Sequence, residues 1–295
     1  MEHEKGSYYL PAPSHWPIVG SIALFCLLTG FANWLHGNTI GPYLFAIGGV
    51  VLAIMMIGWF HTVFKENRQG LLQDKLVDRS FRWGMVWFIF SEVMFFGAFF
   101  GALFYSRFIS VAWLGGTGGA SGSVMTHFLL WPSFHGTWPV YSNPNPNAFV
   151  GPQSIMETWG IPAINTLILL SSGGTITVAH WALLKNKRKL MIAAQIVTIL
   201  LGILFLSMQC HEYLIAYLEK GLKLSSGIYG TTFFMLTGFH ALHVTIGTIM
   251  LIVILYRLIR RDFDAHNHFG FEAAAWYWHF VDVVWLGLFI FVYWM

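Results

Sequence analysis

Seven runs of apolar residues follow one another along the chain, at about 16–35, 40–60, 83–105, 161–184, 190–210, 228–256 and 269–294, separated by stretches that gather the Lys, Arg, Gly and Pro residues. At about 1.5 Å per residue, each run is long enough to cross a hydrocarbon core of roughly 30 Å as a helix. In lipid the backbone must satisfy its own hydrogen bonds, and runs of this length do so as helices rather than as barrel strands. The pattern therefore predicts an all-α membrane protein with seven transmembrane helices.

The basic residues set an orientation. Lys5, the cluster from Lys65 to Arg82, the group Lys185 to Lys189 and the group Arg257 to Arg261 fall on one side and include 13 of the 16 basic residues, leaving only Arg107, Lys220 and Lys223 on the other. By the positive-inside rule the N-terminus is expected in the cytoplasm and the C-terminus outside. The N-terminal MEHEKGSYYLPAPSHWP carries Glu2, Glu4 and two prolines and lacks an apolar run before Ile18, so it does not read as a cleavable signal.

Composition sharpens this picture: of 295 residues 56% are hydrophobic and 10% charged, with a mean hydropathy of +0.62. That excludes a soluble globular domain. The net charge of +3 is spread over separate clusters, which disfavours nucleic acid as a partner. Cys26 and Cys210 lie apart in apolar runs and read as small core residues, not as a disulfide or thiolate metal site. The longest connection, about 107–158, contains GGTGGASGS and then LLWPSFHGTWPVYSNPNPN, which predicts irregular backbone with aromatic side chains packed on a partner or the membrane interface. No phosphate-binding loop, nucleophile elbow or internal repeat is visible.

A carboxylate at membrane depth is costly and faces the protein interior, a partner or a water path. Glu92, beside Ser91 and ten residues beyond Arg82, sits about 15 Å along its helix. It reads either as a proton-exchanging or lipid-contacting carboxylate or as a buried acid bonded to a neighbouring helix. Gly97 and Gly101 on the same helix have the spacing that lets another helix approach closely. His240 and His243 lie three apart on one face of the sixth helix, a spacing that could bind metal or haem but lacks further ligands in sequence. Glu272, His279 and Asp282 share one face of the seventh within about 80°, with Trp278 and Trp285 on another. These five form an expected polar seam; equal depths of about 21 Å suggest that His243 pairs with Asp282. Neither a catalytic set nor a metal site is expected.

The motifs HNHFGFEAAAWYWHFVDVVW, TGFHALHVTIGT, RWGMVWFIFSEVMFF, INTLILLSSGGTITVAHWALL, GIYGTTFF and APSHWPIVGS, in this order-specific set, closely resemble subunit III of cytochrome c oxidase in its bacterial seven-helix form, from Tyr9 to Trp294. The resemblance implies one subunit III domain: a two-helix part (1–64), a cytoplasmic loop (65–82) and a five-helix part (83–295), the first two helices splayed to make a V-shaped cleft for phospholipid. It implies no redox cofactor in this chain, haems and copper in subunits I and II as partners, a small subunit IV in some complexes, and cytochrome c as donor. The implied role is to support proton uptake and protect a proton-pumping oxidase from turnover inactivation, in a bacterial cytoplasmic membrane. Glu92 matches the family's intramembrane carboxylate, and Trp59, Lys65, Glu66, Arg82, Arg257 and His268 match positions at the mouth of the lipid cleft. Basic side chains suit phosphate oxygens and Trp the headgroup boundary.

Three departures stand beside the resemblance: the outer loop is longer than the common form, Leu71 and Leu72 replace histidines of some members, and Gly101 stands where tryptophan is frequent. Other readings are subunit III of a quinol oxidase, a di-haem cytochrome using His180, His240, His243 and His279, and a transporter using Glu92 and Asp282. Seven helices favour the cytochrome c type, and the lack of repeats disfavours a transporter.

Overall fold

The computed structural model describes residues 13–72, 74–265 and 267–295. The N-terminal stretch with Glu2, Glu4 and Lys5, and His266 of the HNHFG motif, lie outside the described residues. Among the described residues the chain is helical, and seven helices are long and apolar enough to cross a membrane. They are α1 (Trp16–Leu35), α2 (Gly41–Arg68), α3 (Lys75–Phe104), α6 (Ile161–Leu184), α7 (Arg188–Leu218), α8 (Ile228–Ile259) and α9 (Phe269–Leu288), with short α4 (Val111–Leu114) and α5 (Ser121–Leu130) between α3 and α6. A π-helical turn, Tyr105–Ser110, carries the third span on to Leu114, and another, Phe289–Trp294, ends the seventh.

Most helices outrun their apolar segments. The stretch 65–82, expected as a loop, is largely helix: α2 continues to Arg68 and α3 already starts at Lys75. Polar residues at the end of a span leave the backbone free to keep its ladder, and the helix stops only where a turn is made, as at Gly70 with φ 77°. The outer connection is also less irregular than expected, since GGTGGASGS leads into α5.

The chain divides into two compact units, Met1–Trp83 and Gly84–Met295. In the first, α1 and α2 form a hairpin with little side chain between them. Their buried residues are Gly20, Ala23 and Gly30 on α1 and Gly41, Gly48 and Met55 on α2, a seam of mostly small residues that brings the backbones close. A Cβ added at Gly48 would lie 2.6 Å from the Leu27 nitrogen. Trp16 Nε1 donates to Thr62 Oγ1 (3.3 Å) where the two helices end together.

In the second unit α9 is the hub. Trp278 and Trp285 are its largest fully buried side chains, and both indoles donate to hydroxyls of α6, Trp278 Nε1 to Ser172 and Trp285 Nε1 to Thr166, each at 2.9 Å. Trp278 also wedges between α7 and α8, where a Cβ at Gly202 or Gly247 would come within 2.8 or 2.9 Å of its ring. Further bonds tie the helices: Thr175 to Thr198 (2.7 Å), Gln195 Nε2 to the Leu251 carbonyl (3.0 Å) and Tyr213 to Thr237 (2.7 Å). Interhelical hydrogen bonds and small-residue contacts supply what hydrophobic burial cannot in lipid. Apolar side chains point outward along every span, for example Trp87, Phe90 and Met94 on α3 and Leu200 and Leu204 on α7. That surface suits a hydrocarbon solvent, and the chain is a multi-pass membrane protein.

The basic turns collect at one end of this unit. Arg188 donates to the Ile259 carbonyl (3.0 Å), joining the α6–α7 turn to the end of α8. At the other end the long connection docks on the α7–α8 turn: Gln153 N donates to the Lys220 carbonyl (2.9 Å) and Asn143 Nδ2 to the Ser226 carbonyl (3.1 Å). Tyr229 packs edge-on against Trp138 of the connection, so this tryptophan is seated on the chain's own helix rather than on a partner or the membrane interface.

Candidate functional site: a carboxylate–imidazole pair and its polar surroundings

Helix α3 turns one stripe inward, with Phe96 and Leu103 buried on it. Glu92 precedes Phe96 by one turn and shares that stripe, so its carboxylate meets α8. Glu92 Oε2 lies 2.9 Å from His243 Nε2. Phe95 and Phe96 pack against the imidazole, ring centroids 5.8 and 4.9 Å away, and the Tyr277 ring of α9 lies nearly parallel to it at 6.4 Å.

The other nitrogen fixes the tautomer. His243 Nδ1 lies 2.7 Å from the Phe239 carbonyl, which can only accept, so Nδ1 carries a proton. A proton is then shared between Glu92 Oε2 and His243 Nε2: a carboxylic acid donating to imidazole, or a carboxylate accepting from imidazolium. Either form is neutral as a pair, which is how a carboxyl group is accommodated in low dielectric.

This pairing corrects the expectation that His243 meets Asp282. Asp282 instead points at α6, its Oδ2 3.7 Å from His279 Nδ1 and so close to Gly173 that a Cβ there would overlap it. Equal depth along two helices fixes height but not azimuth, and the azimuth of His243 faces α3. The seam is in fact three separate contacts. His240 donates Nε2–H to the Val281 carbonyl (3.2 Å); His279 reaches Thr177 Oγ1 (3.3 Å); Glu272 joins His268 and His180 at the basic end, Oε1 lying 3.2 and 3.7 Å from their Nε2 atoms. Of the four histidines considered for haem binding, His240, His243 and His279 are engaged elsewhere, while His180 Nε2 closes no hydrogen bond to the described residues.

Two further expectations change. A Cβ at Gly97 or Gly101 meets nothing within 4 Å, so that face of α3 is open in this chain and the close helix contact of the molecule lies on α1 and α2. Cys26 is half-buried and Cys210 exposed, so neither sits in a core.

The remaining residues singled out by resemblance are placed as follows. Trp59 is half-exposed and stacks on Phe60; Lys65 is exposed and Glu66 half-buried near the end of α2. Arg82 Nε bonds Asp78 Oδ2 one turn earlier (2.7 Å). Arg257 is buried, bonded to Asp262 (3.4 Å) with its guanidinium 4.2 Å from the centre of the Phe263 ring.

One buried acid is absent from the expectations. Glu212 is fully buried in α7, because the helix continues to Leu218 whereas the apolar run stops near 210. The Tyr293 hydroxyl is turned toward Glu212 and Gln209, and the polar atoms of all three close no hydrogen bond to the described residues. The signal was the QCHEY string, two polar groups three apart on the face that also carries Phe205.

The family model for cytochrome c oxidase subunit III matches residues 6–128 and 120–295 of the chain. Curated relatives of full length are similar: the protein named cytochrome c oxidase subunit 3 of Oryctolagus cuniculus is 39% identical over 294 residues, covering 100% of this chain and 99% of the relative. Those of Mus musculus and Tachyglossus aculeatus aculeatus match at the same identity and coverage.

Proposed function

The chain belongs to the cytochrome c oxidase subunit III family, and on that footing we propose that it serves as a non-redox subunit of a proton-pumping cytochrome c oxidase. Full-length similarity carries this reading. The N-terminus lies in the cytoplasm and the C-terminus outside, consistent with the gathering of basic turns at one end. The setting is a bacterial cytoplasmic membrane. Its partners are the haem- and copper-bearing subunits I and II, a small subunit IV where present, and cytochrome c as the donor to the complex.

Within that role the Glu92–His243 pair is a proton-holding element rather than a catalytic one: it keeps a carboxyl group neutral inside the bilayer and ties α3 to α8. Trp59, Lys65, Glu66, Arg82, Arg257 and His268 contact bound phospholipid, their charge and aromatic character matching phosphate oxygens and the headgroup boundary. The subunit sustains proton uptake and protects the complex against inactivation in turnover.

Purification through a tag on this chain tests the reading. A haem-copper subunit I, with its reduced-minus-oxidised spectrum and cytochrome c-driven oxygen uptake, is the expected result. A tagged chain that carries stoichiometric haem by itself would overturn it, and oxidation of quinol in place of cytochrome c would reassign the donor.

A further inference from the structure

At the basic end of the second unit three side chains from two helices converge. His180 stands one turn before the end of α6, His268 caps the start of α9, and Glu272 lies in the first turn of α9. One ligand atom from each falls within 4.8 Å of the others. We propose that these three residues form a binding site for a divalent transition-metal cation of zinc type.

The distances carry the argument. A zinc ion holds imidazole nitrogen at about 2.0–2.1 Å and carboxylate oxygen at about 2.0–2.2 Å, so two ligands on a tetrahedral ion are about 3.3 Å apart. The two observed separations, 3.2 Å from His268 Nε2 to Glu272 Oε1 and 3.7 Å from His180 Nε2 to the same oxygen, bracket that edge. The third separation, between the two imidazoles, lies within 4.8 Å, so side-chain rotation has to draw the two rings together on the ion. Two imidazoles and one carboxylate are also a donor set that zinc selects over magnesium or calcium, which take oxygen alone.

The scaffold is stiff where a site needs it. His268 and Glu272 are four apart across the start of one helix, and the His180 ring is stacked on Phe271, centroids 5.6 Å apart at 28°. All three side chains are mostly enclosed yet not sealed, with 10–26% of their surface open, so an ion can enter and one coordination position remains for water. The start of α9 is the positive end of a helix dipole and opposes a cation; the Glu272 carboxylate offsets it, and without that carboxylate the site should fail. Loaded, the site would pin the end of α6 to the start of α9.

The test uses the complex purified through a tag on this chain and the probe is zinc chloride alone. Equilibrium dialysis with metal counting by mass spectrometry should show one zinc equivalent more in the unmodified complex than in His180→Ala or Glu272→Gln complexes that retain this subunit and the haem of subunit I. Zinc-edge absorption on that equivalent should show two imidazole nitrogens and one oxygen. Equal stoichiometry and affinity in all three proteins would overturn the proposal. Should the variants lose the subunit, protection in the unmodified complex decides: zinc should slow carbethoxylation of His180 and His268 at least tenfold, and unchanged modification of both overturns the site.

Discussion

Glu92 of α3 and His243 of α8 meet at 2.9 Å, and the bond from His243 Nδ1 to the Phe239 carbonyl leaves one shared proton between them. Glu92→Gln preserves a donor toward Nε2 when the imidazole is neutral. The expected outcome is normal assembly and haem content with turnover lowered no more than about twofold, whereas Glu92→Leu strands the imidazole and costs about 1–3 kcal/mol of stability. Oxygen-uptake kinetics and thermal inactivation of the two purified variants distinguish these. Abolished oxygen reduction in a fully assembled Glu92→Gln complex would assign the pair an essential proton path instead.

Adjacent glycines on α6 give a controlled comparison. Gly173 lies under the Asp282 carboxylate, while a Cβ on Gly174 meets nothing within 4 Å. Gly173→Ala should destabilise by about 1–3 kcal/mol through overpacking, and Gly174→Ala should be near neutral in this chain. Thermal denaturation of both variants in detergent checks the pair, and equal midpoints would show that Asp282 moves aside freely.

The α1–α2 hairpin depends on small residues facing backbone. Gly48→Val is expected to separate the two helices, since the nearest obstacle is the Leu27 nitrogen and not a flexible tip. Limited proteolysis should then cut the 36–40 turn or the hairpin faster by severalfold, while Gly49→Val, which meets only the tip of Leu27 at 4.0 Å, should not change the pattern.

Arg257 offers a way to separate lipid contact from folding. Its guanidinium is already engaged by Asp262 and Phe263, so Arg257→Ala should loosen the α8–α9 turn, with the cation–π term alone about 0.5–2 kcal/mol. Under the lipid reading it should also lower phospholipid per complex. Mass spectrometry of co-purified lipid beside a thermal midpoint tells the two apart: unchanged lipid with a lower midpoint means that Arg257 serves the turn only.

The seven spans and the paired basic ends were legible because hydrocarbon thickness imposes a run length and charge placement is written directly in the sequence. Glu92 was legible for the same reason, as an acid in an apolar run. Its partner was not, because residue depth along a helix says nothing about azimuth, and His243 proved to face α3 and not Asp282. Glu212 was overlooked where hydropathy ended before the helix did. The glycine spacing on α3 drew attention to an open face, while the seam from Gly41 to Gly48 to Met55 on α2, with its seven-residue period, is the one that packs. Small-residue motifs mark where a backbone can be approached, and only a partner helix decides whether it is.

The two indole bonds from α9 to α6 have an implication for how this chain can vary in length. Trp278 and Trp285 act as index marks against Ser172 and Thr166. A single residue inserted between them would turn the second indole by about 100° and shift it by about 1.5 Å, so no compensating slide restores both. Insertions and deletions are therefore barred from the interval 278–285, however freely its other side chains change. In the outer connection the exposed stretch 145–148 sets no such register, so a change of length there leaves both indole bonds in place.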